Sequence, residues 1–240
     1  MKIIKVANYE EMSLVAFSIL EEKLKLNAAL NIGFATGGTP LGLYEHLVAA
    51  NVNKEITFKD VKSFNLDEYV GLSKTNPNSY HYFMFDNLFS HIDINKNNVH
   101  IPNGETLNIE EECASYERLI KKYGGIDIQI LGIGGNGHIA FNEPGTSFES
   151  VTHIVDLDES TRQANARFFE NINEVPTKAI TMGLSTIMNS KEILLLINGK
   201  KKKEAFQELI SGNISEQFPA SILHKHHNVI VIVDEEAYSE

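Results

Sequence analysis

Short runs of β-favouring apolar residues recur along the chain with helical patterns between them, and this alternation narrows the fold more than any other feature. Lys2–Val6, Leu30–Ala35, Val61–Leu66, Asp127–Ile133, Ile193–Ile197 and Val229–Val233 read as strands. Two of the intervening segments open with an Asn three residues before a Glu, at Asn8–Glu11 and Asn108–Glu111, which marks a capped helix start. Parallel strands need crossovers, and strands apolar along most of their length imply cover on both faces. The expected fold is α/β, a doubly wound, mostly parallel sheet flanked by helices, Rossmann-like, with ligands bound beyond the carboxyl ends of the strands. At 240 residues, one domain spanning 1–240 is expected. Its longest irregular region, within 145–177, is a candidate lid.

The run from Leu131 to Pro144, Leu-Gly-Ile-Gly-Gly-Asn-Gly-His-Ile-Ala-Phe-Asn-Glu-Pro, follows one of these strands and carries a misleading match. Gly132, Gly134 and Gly137 fit G-x-G-x-x-G, and Asp156 and Asp158 follow about 20 residues on, where a dinucleotide's ribose would be held. That fingerprint requires a helix opening at its last glycine, whose amides hold a pyrophosphate; Pro144 and Gly145 leave no room for one. Instead the loop places His138 and Glu143 beside exposed backbone, an arrangement suited to moving a proton on a small substrate.

Other chemistry falls after other strands. Ala35-Thr36-Gly37-Gly38-Thr39-Pro40 offers glycine amides to an anion and a proline suited to a first helical turn. No Lys follows Gly38, so this is not a nucleoside triphosphate loop. Arg162 and Lys202 are candidate partners for the same anion, the arginine through paired bonds and the lysine as a point charge. Asp67, just past the Val61–Leu66 strand, is expected to face the crevice, where partial burial would raise its pKa into a range useful for taking a proton from carbon.

A net charge of −11 argues against nucleic acid and anionic membranes as partners. Cys113 is the only cysteine, no H-E-x-x-H occurs, and no run of about 18 apolar residues is present. The expectation is a cytoplasmic, soluble protein in a reducing compartment, without a metal centre.

In order, Ala35 to Pro40, Asn65-Leu66-Asp67-Glu68-Tyr69, Asn78-Ser79-Tyr80, Gly132 to Pro144, Thr161-Arg162-Gln163-Ala164-Asn165, and Gly199 with Lys202 resemble the glucosamine-6-phosphate deaminase family over nearly the whole chain. The resemblance implies a fold of the sugar-phosphate isomerase type. It also implies conversion of glucosamine 6-phosphate and water to fructose 6-phosphate and ammonium, with no metal or organic cofactor. Asp67 would carry a proton from C2 of the ring-opened sugar to C1, and His138, oriented by Glu143, would assist ring opening at O5. Thr36, Gly37, Gly38, Arg162 and Lys202 would hold the phosphate. Asn136 stands where some members have an Asp paired to the histidine; it is counted with Asp67, His138 and Glu143 in the catalytic set.

Two alternatives remain: a 6-phosphogluconolactonase-like hydrolase, and a non-catalytic sugar-phosphate sensor. Asp67 and Asn142-Glu143-Pro144 favour the deaminase over the first. The second would ordinarily carry a fused helix-turn-helix and basic charge. A small-molecule sugar phosphate is the expected partner, and a monomer or small homo-oligomer the expected assembly. Val151–Val155 lacks the Arg or Lys with which allosteric members hold N-acetylglucosamine 6-phosphate, so activation by that compound is not expected.

Overall fold

The structure, a computed structural model, describes residues 1–157, 159, 162, 163, 166, 169 and 171–238. The expected strands appear as β1 (Lys2–Val6), β2 (Asn31–Phe34), β3 (Lys62–Asn65), β6 (Ile128–Leu131), β9 (Glu192–Ile197) and β10 (Val229–Asp234). A two-residue strand, β5 (Val99–His100), adds an edge. Together they form one seven-stranded parallel sheet in the order β1-β10-β9-β6-β2-β3-β5. Every residue of β2, β6 and β9 is buried, as expected of strands covered on both faces.

Helices α1 (Tyr9–Leu26) and α4 (Ile109–Lys122) start where the Asn–Glu spacing placed them. Asn8 Oδ1 accepts from the Glu11 amide at 2.9 Å, and Asn108 Oδ1 from the Glu111 amide at 3.1 Å. From β2 the chain steps outward to β3 and then β5, with α2 (Leu41–Val52) on the way; from β6 it steps the other way, to β9 and β10. The direction of winding therefore reverses between β2 and β6, and the loops at their carboxyl ends border the crevice this creates.

A second sheet was not expected. β4 (Asp67–Tyr69), β8 (Lys178–Thr181) and β7 (His153–Asp156) form an antiparallel sheet in the order β4-β8-β7. Leu66 is the pivot between the sheets: its N–H donates to Phe34 O of β2 at 3.3 Å, and its carbonyl accepts from Met182 N at 2.7 Å. Asp67 is thus the first residue of a new strand and not a turn residue beyond an old one.

The strand at 153–156 also corrects the reading of 145–156 as irregular. Within the expected lid, Thr161, Ala164 and Asn165 lie outside the described residues. Among the described residues, no helix is long and apolar enough to cross a membrane.

Candidate active site

After β2, the backbone of Gly37 and Gly38 faces open space, with no atom within 4 Å of where a side chain would begin. The Tyr9 hydroxyl fixes the loop from behind, donating to Gly38 O at 3.0 Å and accepting from Gly42 N at 2.8 Å. Pro40 occupies the cap position of α2 without a side-chain cap, so the helix start remains an electropositive end beside the glycines. Thr39 Oγ1 donates to Asn198 Oδ1 at 2.8 Å, joining this loop to the one after β9. There Gly199 opens a short turn, Lys200–Lys202, that ends on the half-buried Lys202.

Asp67 is 6% exposed, and burial, with the neighbouring Glu68 carboxylate second, pushes its carboxyl up to about 8. Glu68 is buried as well. Its Oε1 accepts from Tyr69 N (2.8 Å) and Tyr80 N (3.0 Å), and its Oε2 from His81 N (2.8 Å), so it caps α3 (Tyr80–Met84) from a distant strand. Its pKa is raised by burial and pulled back by those three amides. The Tyr80 phenol, placed by this cap, donates to the Tyr69 hydroxyl at 3.4 Å and shares a hydrogen bond with the Thr36 side chain. Burial, then Tyr69 and Asp67, drive its pKa well above the usual phenol value.

No helix follows Gly137. The chain turns tightly between Ile139 and Asn142, with Ala140 at φ 52. The His138 ring packs over Gly134, where any side chain would collide with the imidazole. His138 Nδ1 lies 3.4 Å from Glu143 Oε2, close enough for an ion pair but outside hydrogen-bond geometry. Asn136 Nδ2 donates to the same Oε2 at 2.7 Å, and Asn136 Oδ1 accepts the His138 N–H at 3.2 Å. Asn136 therefore holds both the carboxylate and the backbone that bears the imidazole.

The loop is also tied to Asp67. Thr181, which pairs with Asp67 across β4 and β8, accepts the Phe141 N–H at 3.1 Å. Asn142 Nδ2 donates to Met182 O at 2.9 Å, and Phe141 stacks on Tyr80 with ring centres 5.9 Å apart. A buried carboxyl, an imidazole paired with a carboxylate, and open glycine amides thus border one crevice, a set suited to acid–base chemistry on an anchored anion.

Arg162 has partners within the protein. Its Nη2 donates to Ile172 O (3.0 Å) and Val175 O (3.2 Å), and its Nη1 pairs with Glu159 at 3.1 Å, so its bonds here brace its own segment. Glu68, Tyr80, Asn198 and Thr181 were missed as contributors. Glu68 and Tyr80 had a sequence signal, in Asn65-Leu66-Asp67-Glu68-Tyr69 and Asn78-Ser79-Tyr80, whereas Asn198 and Thr181 had none.

The family model for glucosamine-6-phosphate isomerases/6-phosphogluconolactonase matches residues 9–232. A glucosamine-6-phosphate deaminase from Oceanobacillus iheyensis is 56% identical over 240 residues, covering 100% of this chain and 96% of that protein. Glucosamine-6-phosphate deaminase 1 of Bacillus subtilis is 52% identical over 239 residues, covering 100% and 99%. The solved structure of a monomeric glucosamine-6-phosphate deaminase superposes with a TM-score of 0.98 at 52% identity, covering 100% of this chain and 99% of that one. A 6-phosphogluconolactonase from Trypanosoma brucei superposes with a TM-score of 0.80 at 18% identity over 98% and 97%, which is a likeness of fold. With the model matching from the first helix to the last strand, and relatives more than half identical along the whole length, the chain belongs to the glucosamine-6-phosphate isomerase/6-phosphogluconolactonase family.

Proposed function

We propose that the protein is a deaminase that turns glucosamine 6-phosphate and water into fructose 6-phosphate and ammonium. The observation that carries this reading is the placement of Asp67, a buried carboxyl at the junction of the two sheets, bordering the same crevice as the glycine loop and the His138–Glu143 pair. A base that must serve two adjacent carbons needs a substrate fixed relative to it, and a phosphate anchored by Thr36, Gly37, Gly38 and Lys202 supplies that fixed point. Arg162 joins the phosphate set by exchanging its carbonyl partners for phosphate oxygens.

In this mechanism His138, oriented by Glu143 and Asn136, assists proton movement at O5 as the ring opens. The Asp67 carboxylate takes the C2 proton, the C2–H electron pair moves into the C1–C2 bond, and the C1 carbonyl π pair moves onto O1, which takes up a proton from the C2 ammonium. Return of the proton to C1 leaves an imine at C2. Water adds to that carbon and the C–N bond breaks, the nitrogen leaving as ammonium. The names of relatives at 52–56% identity support the same substrate. On this reading the protein acts as a monomer in the cytoplasm.

Purified protein given glucosamine 6-phosphate should release ammonium and fructose 6-phosphate in equal amounts and leave 6-phosphogluconolactone intact. Lactone hydrolysis without ammonium would favour the hydrolase, and binding without turnover the sensor; either result overturns the proposal.

A further inference from the structure

The proposed anion end of the crevice is assembled from two loops that are not neighbours in the sheet. β6 lies between β2 and β9, so the loops after β2 and β9 begin about 10 Å apart at the usual strand spacing. A phosphate gripped by both requires that separation to be held.

Bonds from three side chains hold it. Thr39 Oγ1 reaches over the end of β6 to Asn198 Oδ1 at 2.8 Å. Asp234, buried at the end of β10, accepts the Gly199 N–H with both carboxylate oxygens, at 3.1 and 2.9 Å. Its Oδ1 also accepts the Ala237 N–H at 2.9 Å, which ties the clamp to the short helix Glu235–Tyr238. Gly199 adopts φ 86 and ψ 148, a conformation that strains any residue with a side chain, and the Lys202 N–H closes the turn on Gly199 O at 2.9 Å. On the opposite side, the Tyr9 hydroxyl fixes Gly38.

Resting on the phosphate reading above, we propose that Thr39, Asn198 and Asp234 are positioning residues that set the distance between the Gly37–Gly38 amides and Lys202, so that the cradle has the width of a phosphate before substrate arrives. They act on the anchor and not on the proton-transfer groups, and their loss falls on the affinity for phosphorylated ligands. A cradle already in its bound shape loses little freedom on binding, which is the source of its affinity.

Thr39→Val removes the hydroxyl at nearly constant shape, and Thr39→Ser retains it. In the valine variant, KM for glucosamine 6-phosphate and the inhibition constant of inorganic phosphate should both rise roughly three- to tenfold, the usual range for one hydrogen bond. Its kcat should stay within about twofold of native, as a change confined to ground-state anchoring requires. The serine variant should restore both constants, and kcat/KM for unphosphorylated glucosamine should be the same in all three proteins. If Thr39→Val matches the native protein in both constants while Lys202→Ala is weakened in both, the positioning role is overturned and the phosphate site stands. An equal loss on unphosphorylated glucosamine overturns the positioning role as well. If Lys202→Ala also matches native in both constants, the phosphate reading itself fails.

Discussion

Burial and the Glu68 carboxylate act on Asp67 in the same direction, and together they hold its carboxyl near 8. An unfolded chain releases that proton near pH 4, so between about pH 4 and about pH 8 the folded chain binds a proton that the unfolded chain does not. Asp67 therefore favours the folded state most below the unfolded value, and its contribution is lost as pH rises through that window. Asp67→Asn has no such titration. Its Tm should lie above the native Tm at pH values beyond about 8, with the difference shrinking toward pH 4, as calorimetry across pH would show. In the same variant kcat should fall about 10²- to 10⁴-fold, because an amide cannot accept the C2 proton. Native turnover in that variant would remove Asp67 from the mechanism. Since the carboxylate is the working form, native kcat/KM should decline as pH drops below about 8.

At the scale of elements, the parallel sheet was legible because its central strands are apolar runs ending in glycine-bearing loops, a pattern long enough to count. The small antiparallel sheet was not. β4 has three residues, two of them carboxylates, and its partner β8 lies far along the chain, so neither periodicity nor composition marks it. Asp67, His138 and Glu143 were readable because residue type and position after a strand suffice to nominate them. The role of Glu68 was not, because what makes that residue structural is a set of amides contributed by Tyr80 and His81. The bonds that occupy Arg162 were hidden for the same reason, since its carbonyl partners belong to another turn of chain. Glu68→Ala strands two N–H groups at the start of α3 and that of Tyr69 in β4, and should cost about 2–4 kcal/mol of stability by denaturant titration, whereas Glu68→Gln, which keeps one acceptor oxygen, should cost less. Equal losses in the two variants would show that volume and not capping matters there.

At the scale of the whole molecule, cooperativity needs a second site with different affinity for two states. The stretch Val151–Val155 carries no Arg or Lys, and Thr152 in it is held through its N–H (2.8 Å) and hydroxyl (2.5 Å) by Glu117 Oε1, which also accepts from Thr186. The stretch itself offers an effector phosphate no Arg or Lys, so rate against glucosamine 6-phosphate should be hyperbolic and indifferent to N-acetylglucosamine 6-phosphate. A sigmoidal curve straightened by that compound would overturn this. The raised Asp67 has one more consequence, for a chain of net charge −11 that receives an anionic ligand. At neutral pH the empty crevice stores a hydrogen ion on this carboxyl and so presents one negative charge fewer to an arriving phosphate. An amino sugar brings an ammonium group to the same place, and the carboxyl must shed its hydrogen ion as the ammonium settles. Binding should therefore acidify the surrounding medium, and the heat of association at pH 7 should differ between two buffers of unlike ionisation enthalpy. Identical heats would mean that the stored hydrogen ion stays in place.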